Sequence, residues 1–296
     1  MPYLGELSAL LTAVLWSGTS IAFSAASEKT GSLQLNINRM LLASVLLLTT
    51  ILVMNFKIDL SSNQITNLAI SGVIGLVIGD TFLFKGYQLI GARISMLIMA
   101  LSPAITALLA FFFLEEKLSA LGLLGMLITI SGITLVVIQR NPDMNSKYKI
   151  SALGLFYSFL GAAGQSGGLI FAKLAFDESN INGFVATFIR IISAVILLLP
   201  VLLILRRYKN PVKLYVKNKS ALGATVIGTF LGPYLGITFS LIAIANTKVG
   251  IAATLMSTMP IIMLPMVKYI YKEKLSWRAI AGAVIAVIGV AVIFLR

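Results

Sequence analysis

The run "EKLSALGLLGMLITISGITLVV", residues 116–137, recurs 157 positions later as "EKLSWRAIAGAVIAVIGVAVIF", residues 273–294. Extended backwards, residues 96–138 match residues 253–295 at ten of 43 positions without a gap. Beyond the shared first four residues, the matches include Gly125 with Gly282, Gly132 with Gly289, and Pro103 with Pro260. Apolarity alone does not produce matches in a fixed order, so the pattern indicates an internal duplication.

The composition predicts that most of the chain lies in lipid. Of 296 residues, 58% are hydrophobic and 11% are charged, whereas a soluble domain has about 25% charged residues. The formal charge of +13 does not indicate nucleic acid binding, because the basic residues lie between apolar runs, where they anchor helices at a membrane face. The chain has no cysteine and no histidine, so we expect no disulfide, no metal site and no cofactor.

Ten apolar runs are long enough to cross a bilayer as helices. They cover 4–24, 33–54, 66–88, 94–114, 119–138, 151–172, 183–205, 220–243, 249–271 and 276–295. We predict an all-α polytopic membrane protein with one five-helix repeat at 1–140, a loop at 141–150 and a second repeat at 151–296. Repeats with an odd number of helices are inverted relative to each other, which is typical of secondary transporters with a substrate site near the midplane.

A known family carries the same pattern. The stretch from "IGDTFLFKGYQLIGARISMLIMALSP" to "LEEKLSALGLLGMLITISGITLVV" resembles an EamA-type domain of the drug/metabolite transporter superfamily, and the second half resembles it again. The signature positions are Pro103, Glu116, Leu118, Ser119, Gly125 and Gly132. The resemblance implies ten helices, alternating access and a cavity lined mainly by helices 1, 3, 4, 6, 8 and 9. It leaves amino acids, sugars, choline-like cations and other metabolites open as substrates.

Asp80 is the only acidic residue deep inside a predicted span. A carboxylate in lipid needs a partner, water or a proton. It could be paired with a basic residue such as Lys85 or Arg39, or it could bind a cation, an amine or a proton. We favour the functional role, and without histidine Asp80 is also the candidate for proton coupling.

Other candidates lie at matched depths in the two repeats. Trp16 and Gln165 are repeat mates on helices 1 and 6, and the glycines around Gln165 predict close helix packing. If Gly75 is matched with Gly228, Pro233 is the mate of Asp80 and Tyr234 is the mate of Thr81. The predicted substrate-binding residues are Asp80, Trp16, Gln165, Tyr234, Thr81, Met99 and Met256.

Two further pairs of mates have ambiguous roles. Arg39 and Arg190 could clamp an anion, but their symmetry favours a duplicated structural contact. Pro103 and Pro260 lie inside predicted helices 4 and 9, where each removes a backbone donor, so they are candidate gate hinges.

The sequence favours a secondary transporter that exports or exchanges a small metabolite, with an amino acid or related amine as the preferred substrate. The alternatives are a sugar-phosphate or nucleotide-sugar carrier and a choline-like cation importer. A membrane enzyme or a structural subunit is disfavoured, because clustered acids, His and Cys are missing and the repeats are matched. No G-x-x-x-x-G-K-[ST] motif for ATP is present, so the driving force must be an ion or substrate gradient, with protons as the candidate ion.

The basic residues also predict an orientation in the cell membrane. Of the 23 lysines and arginines, 16 lie in the odd-numbered loops or in the adjoining ends of the spans. The positive-inside rule places this face in the cytoplasm, with both termini outside. The family resemblance implies termini inside, and we follow the charges. The partners expected are the bilayer and a small-molecule substrate, with the protein a monomer or homodimer.

Overall fold

The structure is a computed structural model that describes residues 3–99, 101–139, 151–259, 261–262 and 277–294. Within these residues the chain forms helices and their connections, with no β-strand. The α-helices are α1 (Leu4–Thr30), α2 (Ser32–Val53), α3 (Ser62–Gly72), α4 (Asp80–Met99), α5 (Ser102–Phe113), α6 (Ala120–Gln139), α7 (Ala152–Glu178), α8 (Gly183–Ile204), α9 (Pro211–Lys217), α10 (Lys219–Thr229), α11 (Ile237–Asn246), α12 (Val249–Met256) and α13 (Trp277–Phe294). The π-helical segments π1 (Val73–Gly79) and π2 (Phe230–Gly236) join α3 to α4 and α10 to α11.

Among the described residues, six helical stretches are long and apolar enough to cross a membrane. They are Leu4–Thr30, Ser32–Val53, Ser62–Ile90, Ala152–Glu178, Gly183–Ile204 and Lys219–Asn246, and they correspond to predicted spans 1, 2, 3, 6, 7 and 8. The helices α5, α6 and α13 contribute shorter apolar stretches. The all-helical fold is therefore confirmed, while the number of ten spans stays a prediction.

The helix is not broken between predicted spans 3 and 4. The sequence suggested a break at residues 89–93, but α4 continues without interruption to Met99. An isolated glycine such as Gly91 is tolerated within a helix, and the first strong helix breaker is Pro103. Pro103 lies in the first turn of α5 and not in the interior of a helix, so its missing N–H leaves no hydrogen bond unmade there. Pro260 lies outside the described residues.

The two repeats interlock through equivalent pairs of helices. The first helix of the first repeat, α1, packs along α10, π2 and α11 of the second. The first helix of the second repeat, α7, packs in the same way along α3, π1 and α4. In addition, α2 packs on α8 and α6 packs on α13. Each of these contacts joins the two repeats, so a cavity between them has walls from both.

Glycines allow α7 to lie close to π1. A Cβ built on Gly164 would lie 2.7 Å from the Cα of Gly79, and a Cβ on Gly168 would lie 3.0 Å from the Cα of Gly75. Any larger residue would push the two backbones apart, so these positions require glycine. The glycines around Gln165 therefore give the close packing predicted for them.

Candidate functional site

A cavity of about 160 Å³ lies between the repeats. Its lining comes from α1, α2, π1, α4, α5, α6, α7, α8, π2, α11 and α12. All the helices expected to form the cavity contribute to it. In addition, α2 contributes Arg39, α8 contributes Arg190 and α6 contributes Ile133. Most of the wall is apolar, so the few polar side chains in it determine what the cavity can bind.

Asp80 is the first residue of α4, directly after π1, and it is only 6% exposed. One of its carboxylate oxygens forms an ion pair with Nη2 of Arg39, which is 5% exposed. The other oxygen accepts a hydrogen bond from Nε2 of Gln165. Asp80 is thus paired within its own repeat and linked to the other repeat through Gln165.

The guanidinium of Arg39 is held by further contacts. Its Nε and Nη2 donate to Oδ1 of Asn36 at 2.9 and 2.8 Å. The rings of Phe23 and Phe84 lie with their centroids 5.5 and 5.0 Å from its Cζ, which places the cation between two aromatic faces. These contacts fix the partner of Asp80 as Arg39. Lys85, the other basic partner considered, lies over the ring of Tyr157, at 5.2 Å from its centroid.

Thr81 belongs to the support of this ion pair and does not line the cavity. Nδ2 of Asn36 donates to the carbonyl oxygen of Leu76 at 3.0 Å and lies 3.2 Å from the hydroxyl of Thr81. Thr81 therefore helps to orient the amide that binds Arg39. Its predicted role as a substrate ligand has no support from this position.

The structure corrects the repeat alignment used for helices 3 and 8. The two π segments, Val73–Gly79 and Phe230–Gly236, are 157 positions apart, the same offset as in the quoted duplication. The structural mate of Asp80 is therefore Ile237 and not Pro233. The cavity lining is consistent with this offset, because Leu76 and Leu83 line the cavity and so do their mates Pro233 and Ser240. The pairing inferred from the sequence was one helical turn too short.

The corrected register explains the position of Tyr234. Its mate is Val77, which also lies outside the cavity lining. The hydroxyl of Tyr234 is 2.8 Å from that of Thr50. The centroid of its ring lies 5.9 Å from the ring centroid of Phe184 and 5.3 Å from that of Phe230. These contacts direct Tyr234 into the helix packing and away from the cavity.

The remaining predicted residues come together. Trp16, Asp80, Gln165, Met99 and Met256 all line the cavity. Met99 and Met256 are repeat mates that lie in α4 and α12. Each lies four residues before a signature proline in the sequence, so matched positions of the two repeats reach the cavity wall.

The sequence favoured a structural role for Arg190, but the structure places this residue in the cavity wall. It is 2% exposed and lines the cavity, and its Nε has no hydrogen-bond partner within the described part of the chain. The symmetry of Arg39 and Arg190 favoured one duplicated structural contact. The structure shows that the two arginines differ, because Arg39 is ion-paired and Arg190 has no carboxylate within salt-bridge distance among the described residues.

Metal chemistry has no candidate among the residues that the structure describes. No group of three His, Cys, Asp or Glu side chains there could hold a metal ion. The described cavity instead combines an apolar wall with two guanidinium groups and a carboxylate.

These features define a membrane protein with a solute-sized cavity between two related helical repeats. The sequence profile of the EamA-like transporter family matches residues 3–138 and 152–295, once for each repeat. The chain belongs to the EamA-like transporter family, whose members are multi-pass membrane transporters of small solutes and not enzymes.

The other comparisons add evidence about the fold only. A crystal structure superposes on this chain with a TM-score of 0.74 at 16% sequence identity, covering 97% of this chain and 94% of that one. Comparison with curated proteins gives no match.

Proposed function

We propose that this protein is a secondary active transporter that exports or exchanges a small metabolite, an amino acid or a related amine, by alternating access. The single observation that carries the proposal is the buried Arg39–Asp80–Gln165 network in a cavity walled by both repeats. Charged side chains are expensive in a membrane core, and when they line a cavity they mark a solute or ion pathway.

The proposed architecture is ten membrane-spanning helices in two inverted repeats, at residues 1–140 and 151–296, joined by the loop 141–150. The matched positions of Met99 and Met256 in the cavity wall support this symmetry. The charge distribution favours the cell membrane, with both termini outside. The protein would act as a monomer or homodimer.

Asp80 is the proposed coupling group for protons. When Asp80 is ionised, its two oxygens connect Arg39 on α2 with Gln165 on α7, and so connect the two repeats. A proton on Asp80 would weaken the ion pair and remove one acceptor, which loosens this connection. A substrate ammonium would act on the same carboxylate by competing with Arg39.

The test is uptake into proteoliposomes that contain the purified protein. A panel of labelled amino acids and amines is measured with and without an imposed pH gradient. We expect at least one compound to accumulate only when the gradient is present. With Asp80→Asn we expect exchange of labelled for unlabelled substrate to survive while accumulation is lost. Transport of phosphorylated sugars alone, with none of the amino acids or amines, would contradict the proposed substrate.

A further inference from the structure

We infer that Arg190 binds the carboxylate of the substrate, so that the substrates are small organic carboxylates with an apolar body, amino acids included, and not amines that lack a carboxylate. This inference rests on the proposed transport function and names its substrate class. Its basis is a guanidinium that is almost fully buried, lines the cavity and has no ion-pair partner in the described ranges.

The position of Arg190 is built into the backbone around it. A Cβ on Gly75 would lie 2.6 Å from Nη2 of Arg190, and a Cβ on Gly168 would lie 3.0 Å from the same atom. Two glycines from opposite repeats therefore form a slot that the guanidinium fills. The slot fixes the arginine against the wall, and a fixed guanidinium loses less entropy when it binds a ligand.

Comparison with Arg39 shows what Arg190 lacks. Arg39 is held by Asp80, Asn36, Phe23 and Phe84. The pairings of Asp80 with Ile237, Arg39 with Arg190 and Trp16 with Gln165 fix the offset for each helix. Counted from these pairings, the residues of the second repeat that correspond to the four partners are Ile237, Thr187, Ala172 and Leu241. Thr187 hydrogen-bonds the carbonyl oxygen of Gly183 at 2.7 Å, and the other three are apolar. The second repeat therefore has the arginine, Arg190, but none of the four groups that hold Arg39 in the first repeat.

The charge of the cavity supports an anionic ligand. The ionisable side chains in its described lining are Arg39, Asp80, Tyr87 and Arg190. With Tyr87 neutral, two guanidinium groups face one carboxylate and leave one positive charge in excess. Both oxygens of Asp80 are engaged by Arg39 and Gln165. An excess charge in an apolar cavity favours a ligand of opposite charge.

The chemistry of the site selects a carboxylate among oxyanions. One guanidinium offers two parallel N–H donors, which match the two oxygens of a carboxylate. A phosphate monoester carries about −1.5 to −2 charges at neutral pH and would need a second free cation. The rest of the wall, with Trp16, Leu83, Leu169 and Met256, suits an apolar body on the ligand.

The test uses probes that share a body and differ in the charged group. One series is leucine, 4-methylpentanoate, 3-methylbutylamine and 3-methylbutyl phosphate, and the second is phenylalanine, 3-phenylpropionate, 2-phenylethylamine and 2-phenylethyl phosphate. Binding to the full-length protein in detergent is measured from the rise in its unfolding temperature as each probe is titrated. This readout avoids the passive permeation of weak acids and amines through liposomes.

We expect the amino acid and the plain carboxylate of at least one series to bind the wild-type protein, and the matching amine not to bind. Arg190→Gln should weaken carboxylate binding about 10- to 100-fold, with Arg190→Lys between the two. The control Lys57→Gln removes one positive charge from an exposed loop and should bind as the wild type does. Without ligand, Arg190→Gln should unfold at the same temperature as the wild type or higher, because a lone buried cation has been removed.

Several results would overturn the inference. They are binding of the amines alone, binding of the phosphates alone, no binding of any carboxylate at millimolar concentration, and equal carboxylate affinity in Arg190→Lys and the wild type. If Arg190→Gln fails to fold, Arg190→Lys still tests the inference, because it keeps the positive charge and loses the two parallel N–H donors of the guanidinium.

The outcome also separates this inference from the proposed function. Carboxylates that bind through Arg190 but are not moved in proteoliposomes would support the site and contradict transport. Amines that accumulate without dependence on Arg190 would support transport and contradict the site.

Discussion

Three charged side chains lie in the described lining of the cavity: Arg39, Asp80 and Arg190. Arg39 and Asp80 form a pair in which each member also has hydrogen bonds, and this is the condition under which a buried ion pair repays its desolvation. Arg190 has no such compensation in the described structure. The described lining therefore contains one neutralised pair and one cation without an ion-pair partner.

The first prediction concerns the coupling between Arg39 and Asp80. Each of Arg39→Met and Asp80→Asn leaves a buried charge without its partner and should lower the free energy of unfolding by about 3–5 kcal/mol. The double variant removes both charges and should be more stable than either single variant. Unfolding of the purified proteins measures all three. A double variant whose loss equals the sum of the single losses would show that the pair is not coupled.

The second prediction tests whether Trp16 is part of the binding wall. Trp16→Ala should weaken substrate binding about tenfold or more, because the ring provides a large contact area in the cavity, and should reduce protein abundance much less. The other tryptophan, Trp277, is 77% exposed, so Trp277→Ala is a matched control that should leave binding unchanged. Equal losses of binding and abundance in Trp16→Ala would assign Trp16 to packing.

At the scale of helices, the two π segments mark the site. Each ends directly before the cavity residue Asp80 or Ile237, and the backbone N–H of Asp80 bonds the carbonyl oxygen of Gly75, five residues earlier. A π turn widens the helix and re-aims the side chains that follow it. This geometry directs Asp80 towards Arg39 and Gln165.

The third prediction tests the close approach of α3 and α8. A Cβ on Gly72 would overlap the backbone carbonyl oxygen of Arg190, which no side-chain movement can relieve. Gly72→Ala should therefore destabilise the protein by about 3 kcal/mol. In α10, a Cβ added to Gly223 would have no other heavy atom within 4 Å, so Gly223→Ala should be neutral or stabilising by up to about 1 kcal/mol. Equal unfolding temperatures for the two variants would contradict the packing.

The fourth prediction concerns Glu116, in the connection between α5 and α6. Its carboxylate accepts a hydrogen bond from the backbone N–H of Val249 at 3.0 Å, at the start of α12. Burial raises the pKa of Glu116 above its ordinary value of 4.5, and the hydrogen bond from Val249 opposes this rise in part. The folded protein thus binds a proton more tightly than the unfolded chain does. The contribution to stability is complete below pH 4.5 and is lost as the pH rises through the raised pKa.

Glu116→Gln should remove this pH-dependent loss of stability. The unfolding temperature of the variant should therefore rise relative to that of the wild type as the pH is raised from 4.5 to about 7. Glu115→Gln, at the exposed neighbouring carboxylate, is the control and should follow the wild type. A wild type and Glu116→Gln whose unfolding temperatures stay a constant distance apart over this range would contradict the assignment.

At the scale of the whole molecule, the repeats are joined by equivalent pairs, α1 with α10 and α11, and α7 with α3 and α4. Each repeat packs its first helix chiefly against the other repeat. The site therefore exists only when both repeats are folded. In the proposed alternating-access mechanism, a relative movement of the repeats would change access to the cavity without rebuilding its walls.

The fifth prediction fixes the orientation in the membrane. A phosphatase that is active only outside the cytoplasm, fused after Arg296, should be active, because the basic loops hold the opposite face inside. The same fusion after Lys209, in the basic connection between α8 and α9, should be inactive. Activity at Lys209 and none at Arg296 would reverse the orientation and favour the arrangement implied by the family.

The sequence by itself determined the membrane environment, the duplication and the family, because lipid requires long apolar helices and a duplication leaves matched residues in a fixed order. It also selected Trp16, Asp80 and Gln165, since polar or large aromatic residues deep in apolar spans are few.

Only the tertiary structure decided which partner Asp80 has, which register relates π1 to π2, and that Arg190 differs from Arg39. Such choices depend on distances between helices far apart in the chain, and one turn of a helix or one π segment changes which side chains meet. Periodicity cannot detect a π turn, because its residues remain as apolar as their neighbours. Tyr234 was misplaced because the match of Gly75 with Gly228 set the register one helical turn short of the offset that relates π1 to π2. The role of Arg190 was missed because its lack of an ion-pair partner among the described residues is visible only in three dimensions.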